Sequence, residues 1–589
     1  MHSRRLFFPE PFHAEWRHEE LPEPGAGELL IRTRKTLIST GTEMTAHAGS
    51  LAVAALADHG VDAMFTLSGA HIFPLYDAAT TTEATMRMVD VRHEQTAVFA
   101  AEAMAKLTRR PGFAAVTAGP GVTNAVSAVA QAQASGVPML LLGGRAPAWR
   151  WGTGALQELD HPPLLAPVTK TASTAATAAD VYRSVDEALR LAAMPHRGPV
   201  FLDVPMDQLF SHATAQRTTA AAPVPSPPDP DALDRVGGLL AAAERPVLVL
   251  GSDVWMDSAE IAARAFVEAV GVPVIPNGMG RGILPPGHRL LVSKARSTAL
   301  READLVVVAG APLDFRLSYG VFGDPENPTP GVHLADAPSQ VATHTPLAGS
   351  LAGSLAAAFD GLRQVVESAP HRRRITPWVQ TLAAAVEEAQ ERDQALLSAD
   401  APGGVHPARV YGALLPLLTP DTVVIADGGD FVSWSGRFVE PGRPGRWLDP
   451  GPFGCLGAGL GATVGAGVAH PDAARVLLLG DGAAGFSLAE IETLVRHDLP
   501  TLVVVGNNGA WGLEKHPMRM LYGYDVLADL RRETRYDRIA QAMGADGETV
   551  ADPAGLAAAF ERGMASGTTY VVNVLLDPEV AYPRKTTGV

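Results

Sequence analysis

From Ser50 onward, short runs of apolar residues alternate with alanine-rich stretches that are typical of helices. Residues 138–142 and 501–505 are two of the apolar runs, and residues 95–106 form one of the helical stretches. Buried strands that alternate with helices along a chain are typical of parallel sheets covered by helices. The pattern therefore predicts an α/β fold in which each domain is a parallel sheet with helices packed on it.

Two stretches of unusual composition divide this pattern into three blocks. Residues 221–230 are rich in proline, and residues 369–374 carry a basic run before another helical stretch. Stretches of this kind are typical of connections between domains. We therefore place three domains at about residues 45–215, 230–365 and 400–589.

The first 44 residues do not follow the same rhythm and are interpreted as an N-terminal extension. Within them, residues 20–43 predict a short strand-and-turn segment, because Pro22, Pro24 and two glycines interrupt the chain. This segment resembles the opening of a medium-chain, zinc-dependent alcohol dehydrogenase, but a fragment of this size cannot bury a core of its own. We carry no function over from it, and we expect translation of the native protein to begin at Met44.

The overall composition excludes several classes of protein. The chain has 589 residues, 47% of them hydrophobic and 19% charged, which is typical of globular rather than disordered proteins. Its formal net charge of −16 repels nucleic acids and anionic membranes, so neither is an expected partner. Cys455 is the single cysteine of the sequence and cannot form an intramolecular disulfide, which favours a cytoplasmic protein. The apolar runs are far shorter than the roughly 18 residues that indicate a membrane span.

The strongest local signal for chemistry is an acidic residue between two glycines at the end of an apolar strand. Asp481 lies between Gly480 and Gly482, a helix is predicted over residues 487–497, and the next apolar strand runs up to Asn508. Glycines let a phosphate approach the backbone, and the first turn of a helix presents free N–H groups to it. Carboxylate and amide oxygens are ligands suited to Mg²⁺. A plain strand-to-helix turn capped by an aspartate is the alternative.

A second signal lies in the N-terminal block. Glu94 follows an apolar strand and begins a predicted helix, where an acidic side chain also interacts favourably with the helix dipole. A little further along, residues 117–124 read Thr-Ala-Gly-Pro-Gly-Val-Thr-Asn and include Gly119 and Asn124.

Together these segments resemble the acetolactate synthase-like superfamily of thiamine-diphosphate enzymes. Asp481 and Asn508, 27 positions apart, match the family's diphosphate signature, and residues 117–124 match its TxGPGxTN turn. The resemblance runs from about residue 45 to the C-terminus. It implies a pyrimidine-binding domain, a central domain and a diphosphate-binding domain. It also implies a homodimer or a dimer of dimers, with each active site formed between two subunits.

The resemblance further implies how thiamine diphosphate and Mg²⁺ are held. The side chains of Asp481 and Asn508 and the backbone carbonyl of Ala510 are the expected metal ligands. Leu456 stands where relatives have the apolar residue that keeps the cofactor bent, although it is equally compatible with an ordinary core position. Glu94 corresponds to the glutamate that hydrogen-bonds the aminopyrimidine N1′ and favours removal of the thiazolium C2 proton. The remaining expected contacts of the cofactor are Gly119, Asn124, Gly480 and Gly482.

Three further residues are candidates for contact with the substrate. His71 resembles the histidine of benzaldehyde lyase that assists proton transfer at the substrate hydroxyl. Gln157 resembles the glutamine that reaches the aminopyrimidine side of the pocket in acetolactate synthases and benzaldehyde lyase. Glu514 resembles a glutamate near the reacting carbon in relatives of pyruvate decarboxylase. The structural alternatives are a core position for His71 and a surface turn for Glu514.

The central block contains several cations in an otherwise acidic protein, and its series of motifs resembles 2-hydroxyacyl-CoA lyases and oxalyl-CoA decarboxylases. In those families the central domain holds ADP or the ADP moiety of CoA, whereas acetolactate synthases hold FAD there and resemble this chain less. The sequence Asp314-Phe315-Arg316 departs from the Asn-Trp pair that is usual in both CoA-ester families. Ordinary salt bridges are the alternative explanation. The candidate nucleotide or CoA contacts are Arg281, Lys294, Arg296 and Arg316.

The expected activity is therefore a thiamine-diphosphate-dependent carbon–carbon lyase or carboligase. Our main prediction is reversible cleavage of a 2-hydroxyacyl-CoA to an aldehyde or ketone plus formyl-CoA, with His71 or Glu514 managing the hydroxyl proton. The alternative is acetolactate synthase, which decarboxylates pyruvate and condenses it with a second molecule. A non-catalytic, cofactor-binding homologue is a third hypothesis, which Glu94 disfavours because binding alone needs no proton relay. The expected small-molecule partner is an acyl-CoA or a 2-oxo acid.

Overall fold

The computed structural model describes residues 2–10, 13–20, 47–81, 86–214, 226–369 and 375–583. Two N-terminal strands, β1 (His2–Glu10) and β2 (His13–Glu20), pair antiparallel as a separate two-stranded sheet. The predicted turn segment at residues 21–43 and the expected start at Met44 lie outside the described residues. Among the described helices, none combines the length and the apolar character that crossing a bilayer requires.

The N-terminal domain is a six-stranded parallel sheet with helices on both faces. Its strands are β3 (Ala63–Thr66), β4 (Arg87–Asp90), β5 (Gly112–Val116), β6 (Met139–Arg145), β7 (Ala172–Thr174) and β8 (Pro199–Pro205). Its helices are α1 (His47–Asp58), α2 (Phe73–Thr81), α3 (Glu94–Thr108), α4 (Pro120–Ala134), α5 (Pro162–Leu165), α6 (Val181–Ala193) and α7 (Met206–Leu209). The strand order is β4-β3-β5-β6-β8-β7. All residues of β5 and β8 are buried, as expected for strands covered on both faces.

The central domain is a five-stranded parallel sheet with a small antiparallel ribbon beside it. Its sheet strands are β9 (Pro246–Leu250), β10 (Val274–Pro276), β11 (Leu305–Ala309), β14 (Gly331–Ala335) and β15 (Gly349–Ala352), and the ribbon is β12 (Phe322–Asp324) with β13 (Asn327–Thr329). Its helices are α8 (Pro230–Ala242), α9 (Ser252–Met256), α10 (Glu260–Val270), α11 (Arg296–Glu302) and α12 (Leu355–Ser368). The sheet order is β10-β9-β11-β14-β15. Helix α13 (Thr376–Leu397) then leads to the third domain.

The C-terminal domain is again a six-stranded parallel sheet. Its strands are β16 (Val423–Asp427), β17 (Trp447–Leu448), β18 (Arg475–Gly480), β19 (Leu502–Asn507), β20 (Asp546–Val550) and β21 (Tyr570–Leu575). Its helices are α14 (Pro407–Leu414), α15 (Asp430–Phe438), α16 (Ala458–Ala469), α17 (Asp481–Ser487), α18 (Glu490–Arg496), α19 (Gly512–Tyr522), α20 (Tyr536–Ala542) and α21 (Leu556–Ala565). The strand order is β17-β16-β18-β19-β21-β20.

The three sheets confirm the predicted α/β class, and each sheet falls inside one of the expected ranges. The domain boundaries themselves stay predictions. One element differs from its prediction: instead of a single helix over residues 487–497, α17 starts directly at Asp481 and α18 follows after a break. Gly482 and Gly485 lower the helix propensity of the first segment, which obscures the helix in a sequence pattern.

The N- and C-terminal domains share one hydrophobic core. Helices α3 and α16 pack closely, and Phe99 of α3 and Val464 of α16 belong to the same buried cluster. Glycines on α16 permit this approach: a Cβ atom at Gly465 would lie 2.2 Å from the carbonyl oxygen of Ala100. This contact fixes how the two domains are oriented within one chain.

Candidate active site

Seven of the residues singled out in the sequence line one cavity at the carboxyl ends of the C-terminal strands. The cavity has a volume of about 240 Å³ and lies where β16, β18 and β19 end. Open parallel sheets bind ligands at this edge. The seven predicted residues are Leu456, Gly480, Asp481, Gly482, Asn508, Ala510 and Glu514.

Asp481 is the buried acidic group of this cavity. Its two carboxylate oxygens accept hydrogen bonds from the backbone N–H groups of Gly509 (2.9 Å) and Gly482 (3.1 Å). Burial raises the pKa of Asp481 to about 7, against which the backbone hydrogen bonds act. A cation at this place favours the ionised carboxylate. Asn508 supplies a side-chain amide on the same cavity, so the donor set fits Mg²⁺.

Leu456 lies in a loop of the C-terminal domain, between β17 and α16, that contacts the N-terminal domain. The loop turns at Gly454 and Gly457, both of which have positive φ. Between them, the backbone N–H of Cys455 donates to Oε1 of Gln131 on α4 (3.2 Å). The N-terminal domain therefore helps to hold Leu456 at the cavity.

Glu514 also lines the cavity, but its side chain is exposed. It is the third residue of α19, and helix residues around it carry exposed apolar side chains such as Met520 and Leu521. Within one chain, the side chain of Glu514 is therefore in contact with solvent. Its proposed part in proton transfer stays a prediction.

One buried acid of this edge was missed by the sequence reasoning. Asp427 ends β16, and its Oδ2 accepts the N–H of Gly459 at the start of α16 (2.8 Å). Burial raises its pKa to about 6. The signal that marks it is an apolar strand ending in Asp427 before Gly428 and Gly429, the same kind of pattern that identifies Asp481. The carboxylate of Asp427 caps α16, so the backbone N–H of Gly459 at the start of this helix already has a hydrogen-bond partner within the protein.

Glu94 lies in the N-terminal domain, at the first residue of α3. It is buried, and its Oε2 accepts a hydrogen bond from Nδ2 of Asn124 on α4 (3.0 Å). Two residues before it, the backbone N–H of Arg92 donates to the carboxylate of Glu490 (3.1 Å). Glu490 is itself buried, so this contact also ties the strand-to-helix turn at Glu94 to the C-terminal domain.

His71, Thr117 and Gln157 form a small polar cluster in the N-terminal domain. The hydroxyl of Thr117 donates to Oε1 of Gln157 (3.4 Å) and lies 3.0 Å from Nδ1 of His71. The ring of His71 also makes a hydrogen bond with the backbone of Leu156. Burial lowers the pKa of His71, so the ring is neutral at pH 7. The structure thus brings together two of the residues expected near the substrate.

The predicted residues form two sets on different domains. Every residue that lines the C-terminal cavity lies between Pro407 and Val580, whereas Glu94, His71 and Gln157 belong to the N-terminal domain. Among the described residues of one chain, the N-terminal set does not contribute to the lining of that cavity.

The cations expected to hold a nucleotide are bound to protein groups. Arg281 is half-buried, donates to the carbonyls of Gly436 (3.0 Å) and Val439 (3.2 Å), and lies over the ring of Trp447. Lys294 donates to Asp393 (2.5 Å) and to the carbonyl of Arg437 (2.7 Å). Both residues therefore join the central domain to the segments that follow it, which does not support the expected contact with a phosphate.

Arg296 and Arg316 also bind groups of the protein. Arg296 donates to the backbone carbonyl of Arg316 (2.7 Å), and burial lowers its pKa to about 10. Arg316 pairs with Asp314 (2.7 Å), the residue at which the sequence departs from the CoA-ester families.

A second cavity, of about 290 Å³, lies at the carboxyl ends of the central strands. Arg316 and Lys106 line it, but Lys106 is already paired with Glu102 (2.7 Å). The buried Asp253 also lines it, and burial raises the pKa of that carboxyl to about 7. The cavity lies where a ligand can bind. However, Lys106 and Arg316 are each paired with a carboxylate and Asp253 adds a further acidic group, so the lining does not fit the negatively charged diphosphate of ADP, CoA or FAD. We derive no step through such a nucleotide.

Comparison with known proteins covers all three domains. The family profile "Thiamine pyrophosphate enzyme, N-terminal TPP binding domain" matches residues 46–164, the corresponding central-domain profile matches 233–362, and the C-terminal TPP binding domain profile matches 427–574. The chain is 48% identical over 551 residues to a probable acetolactate synthase of Mycobacterium bovis, covering 93% of this chain and 98% of that protein. The acetolactate synthase large subunit IlvG of Mycobacterium tuberculosis gives the same values. A 2-hydroxyacyl-CoA lyase 2 of Caenorhabditis elegans is 35% identical over 549 residues, covering 86% of this chain and 84% of that protein.

Proposed function

The chain belongs to the thiamine pyrophosphate enzymes, and on this premise we propose that it acts as an acetolactate synthase, decarboxylating a 2-oxo acid such as pyruvate and joining the remainder to a second carbonyl compound. The observation that carries the proposal is the 48% identity to acetolactate synthases over nearly their whole length. This reverses the order of the two sequence-based hypotheses.

Cleavage of a 2-hydroxyacyl-CoA is the second candidate, favoured by relatives at 35% identity. Its support in the sequence is the series of central motifs, together with the cations that lie in it. Arg281, Lys294 and Arg296 each have protein partners instead, which weakens the part of the argument that rests on charge.

We propose that the C-terminal cavity binds the diphosphate end of thiamine diphosphate through Mg²⁺. Asp481, Asn508 and the carbonyl of Ala510 are the ligands we assign to the metal, since they are hard oxygen donors on one cavity wall. Leu456 is the apolar contact for the rings of the cofactor. When bound, the cofactor supplies a thiazolium carbon that adds to a carbonyl and accepts the charge left by decarboxylation.

The N-terminal set manages protons in this proposal. Asn124 fixes one oxygen of Glu94, so the other oxygen is left to share a proton with the aminopyrimidine ring. His71 is suited to take or return the proton of a substrate hydroxyl, because burial lowers its pKa and the ring is neutral at pH 7. The hydroxyl of Thr117 links Gln157 to His71. In this proposal Gln157 orients the same substrate hydroxyl oxygen.

We infer that a second copy of the chain completes the site. The cavity is built from one domain and the proton-handling residues from another, so each subunit offers two half-sites. A pair of chains related by a two-fold axis places the N-terminal half-site of one against the cavity of the other.

A paired assay of the purified protein with thiamine diphosphate and Mg²⁺ tests the proposal. One reaction contains pyruvate and the other contains 2-hydroxyisobutyryl-CoA or a straight-chain 2-hydroxyacyl-CoA. Formation of acetolactate supports the proposal. Release of formyl-CoA with a ketone or aldehyde, and no acetolactate, replaces it with the lyase reaction.

A further inference from the structure

A fully buried histidine–aspartate pair lies behind the proton-handling cluster. His161 directly precedes α5, Asp203 lies in β8, and neither side chain is accessible to solvent. Nδ1 of His161 is 2.8 Å from Oδ2 of Asp203. Asp203 also accepts hydrogen bonds from Arg145 (2.9 Å) and Thr174 (2.6 Å), so its carboxylate is held in a fixed orientation.

The hydrogen bonds define the protonation of His161. The backbone N–H of Gly119 donates to Nε2 of His161 (3.0 Å), which requires that nitrogen to carry no proton. Nδ1 therefore carries the proton and donates it to Asp203. The arrangement has the logic of an aspartate that fixes a histidine tautomer, but here the histidine accepts from a backbone amide.

Gly119 is the point at which two segments interlock. It has a positive φ of 58°. A Cβ atom added there would lie 2.9 Å from both the Cβ and the carbonyl oxygen of Gln157. His161 lies four residues after Gln157 on the same segment, so its bond to Gly119 fastens this segment to the turn at residues 117–124.

The turn carries the partners of three residues in the proposed site. Thr117 contacts both His71 and Gln157, and Asn124 donates to Glu94. A displacement of the turn therefore moves all three at once. Misplacement of reacting groups by about 1 Å is enough to lower a rate by about 10²-fold.

We propose that His161, supported by Asp203, is a positioning residue that sets the Gly119 turn and thereby aligns His71, Gln157 and Glu94. The inference rests on the proposed function for what these three residues do. The hydrogen bond between His161 and Gly119, which we call the clamp, forms in the chain without cofactor or substrate. It can therefore be tested separately.

Two amide substitutions separate the two hydrogen bonds that the ring of His161 makes, one with Gly119 and one with Asp203. In His161→Gln the longer side chain places a carbonyl oxygen near the position of Nε2, so the acceptor for Gly119 is retained. In His161→Asn the shorter side chain places an amide N–H near the position of Nδ1, so the bond to Asp203 is retained and the acceptor is lost. Both variants lack the imidazole ring, so they lose similar packing contacts and can be compared with each other.

Hydrogen–deuterium exchange of the cofactor-free protein is the first readout. We expect His161→Asn to speed exchange in the peptide that contains Gly119, with little change in α1 or β15. His161→Gln retains most of the protection. Equal exchange in wild type and His161→Asn overturns the clamp, whichever reaction the enzyme performs.

Kinetics with the substrate identified for the wild type is the second readout. We expect kcat to fall by about 10- to 100-fold in His161→Asn and much less in His161→Gln. The affinity for thiamine diphosphate is expected to change less than kcat, because the proposed Mg²⁺ and diphosphate ligands lie on another domain. Equal losses of kcat in the two variants, following their melting temperatures, overturn the positioning role. A wild type inactive on both substrates contradicts the proposed function and leaves the exchange result valid.

Discussion

Glu94 and Asp481 are both buried acids of the proposed site, but they have different hydrogen-bond partners. Glu94 accepts a hydrogen bond from the side-chain amide of Asn124, whereas Asp481 accepts hydrogen bonds from the backbone N–H groups of Gly482 and Gly509, which follow β18 and β19. The first arrangement orients one carboxyl oxygen and leaves the other available. The second leaves a buried negative charge that a metal ion stabilises. Each acid thus suits the role that its motif predicts for it.

Replacing Glu94 by glutamine tests the proton role. We expect Glu94→Gln to lower kcat by about 10²-fold or more, since an amide cannot exchange a proton with the aminopyrimidine ring. Binding of thiamine diphosphate, followed by calorimetry, is expected to change little. Glu187→Gln is the matched control, because Glu187 is an exposed residue of the same domain. Unchanged turnover in Glu94→Gln contradicts the mechanism.

The lowered pKa of His71 predicts the pH dependence of turnover. A histidine with an ordinary pKa loses half of its neutral form at pH 6.5, but burial moves this point for His71 to a lower pH. We expect the acidic fall of kcat to have its midpoint below pH 6.5. His71→Gln is expected to lower kcat and to abolish the acidic fall. A wild-type midpoint above pH 6.5 is incompatible with His71 as the base.

At the scale of elements, close packing of α3 against α16 carries the link between the outer domains. Helix α3 is rich in alanine and α16 in alanine and glycine, which lets their backbones approach. Glu94 stands at the start of α3, and the loop of Leu456 precedes α16. The separation of these two helices therefore affects both half-sites.

A methyl group at Gly465 tests this contact. Its Cβ would lie 2.2 Å from a backbone oxygen, so Gly465→Ala is expected to destabilise the protein by about 1–3 kcal/mol through overpacking. Gly238→Ala, in α8, is the matched control because no atom lies within 4 Å of its added Cβ. We expect the control to be neutral or stabilising by about 0.5–1 kcal/mol. Thermal melting of both variants measures the difference, and equal melting temperatures argue against the tight contact.

At the scale of the whole molecule, the proposed division of the site between two chains makes activity depend on assembly. The surface of one chain exposes large aromatic side chains, among them Phe453, Phe486 and Trp149. In the proposed dimer, a second copy that covers such side chains would also exclude water from the reacting groups.

Complementation between two inactive variants tests the shared site. Glu94→Gln disables the N-terminal half-site, and Asp481→Asn disables the metal half-site. In a mixed dimer one of the two sites receives both defects and the other receives none. Random mixing after dissociation is therefore expected to restore about a quarter of the wild-type activity. No recovery, in mixtures shown by mass spectrometry to contain mixed dimers, indicates that each site lies within one chain.

Apolar periodicity and the motifs around Asp481 and Glu94 are local features, so the α/β class, the three sheets and the family could be predicted from the sequence. Local signals also identified Gly480, Asp481, Gly482 and Asn508 in the lining of the C-terminal cavity, since these residues stand where β18 and β19 end. They did not reveal that α17 begins at Asp481, because glycines hide the helix pattern.

The partner of each polar side chain depends on contacts between distant parts of the chain, which the sequence pattern does not show. Arg281 and Lys294 look like phosphate ligands in the sequence, but long-range packing gives them carbonyl and carboxylate partners more than 90 positions away. His161 carries no motif at all, and its contact with Gly119 exists because β8 and the turn after β5 meet in space. Charge can be counted along a chain, but whether it is free for a ligand depends on what folding places beside it.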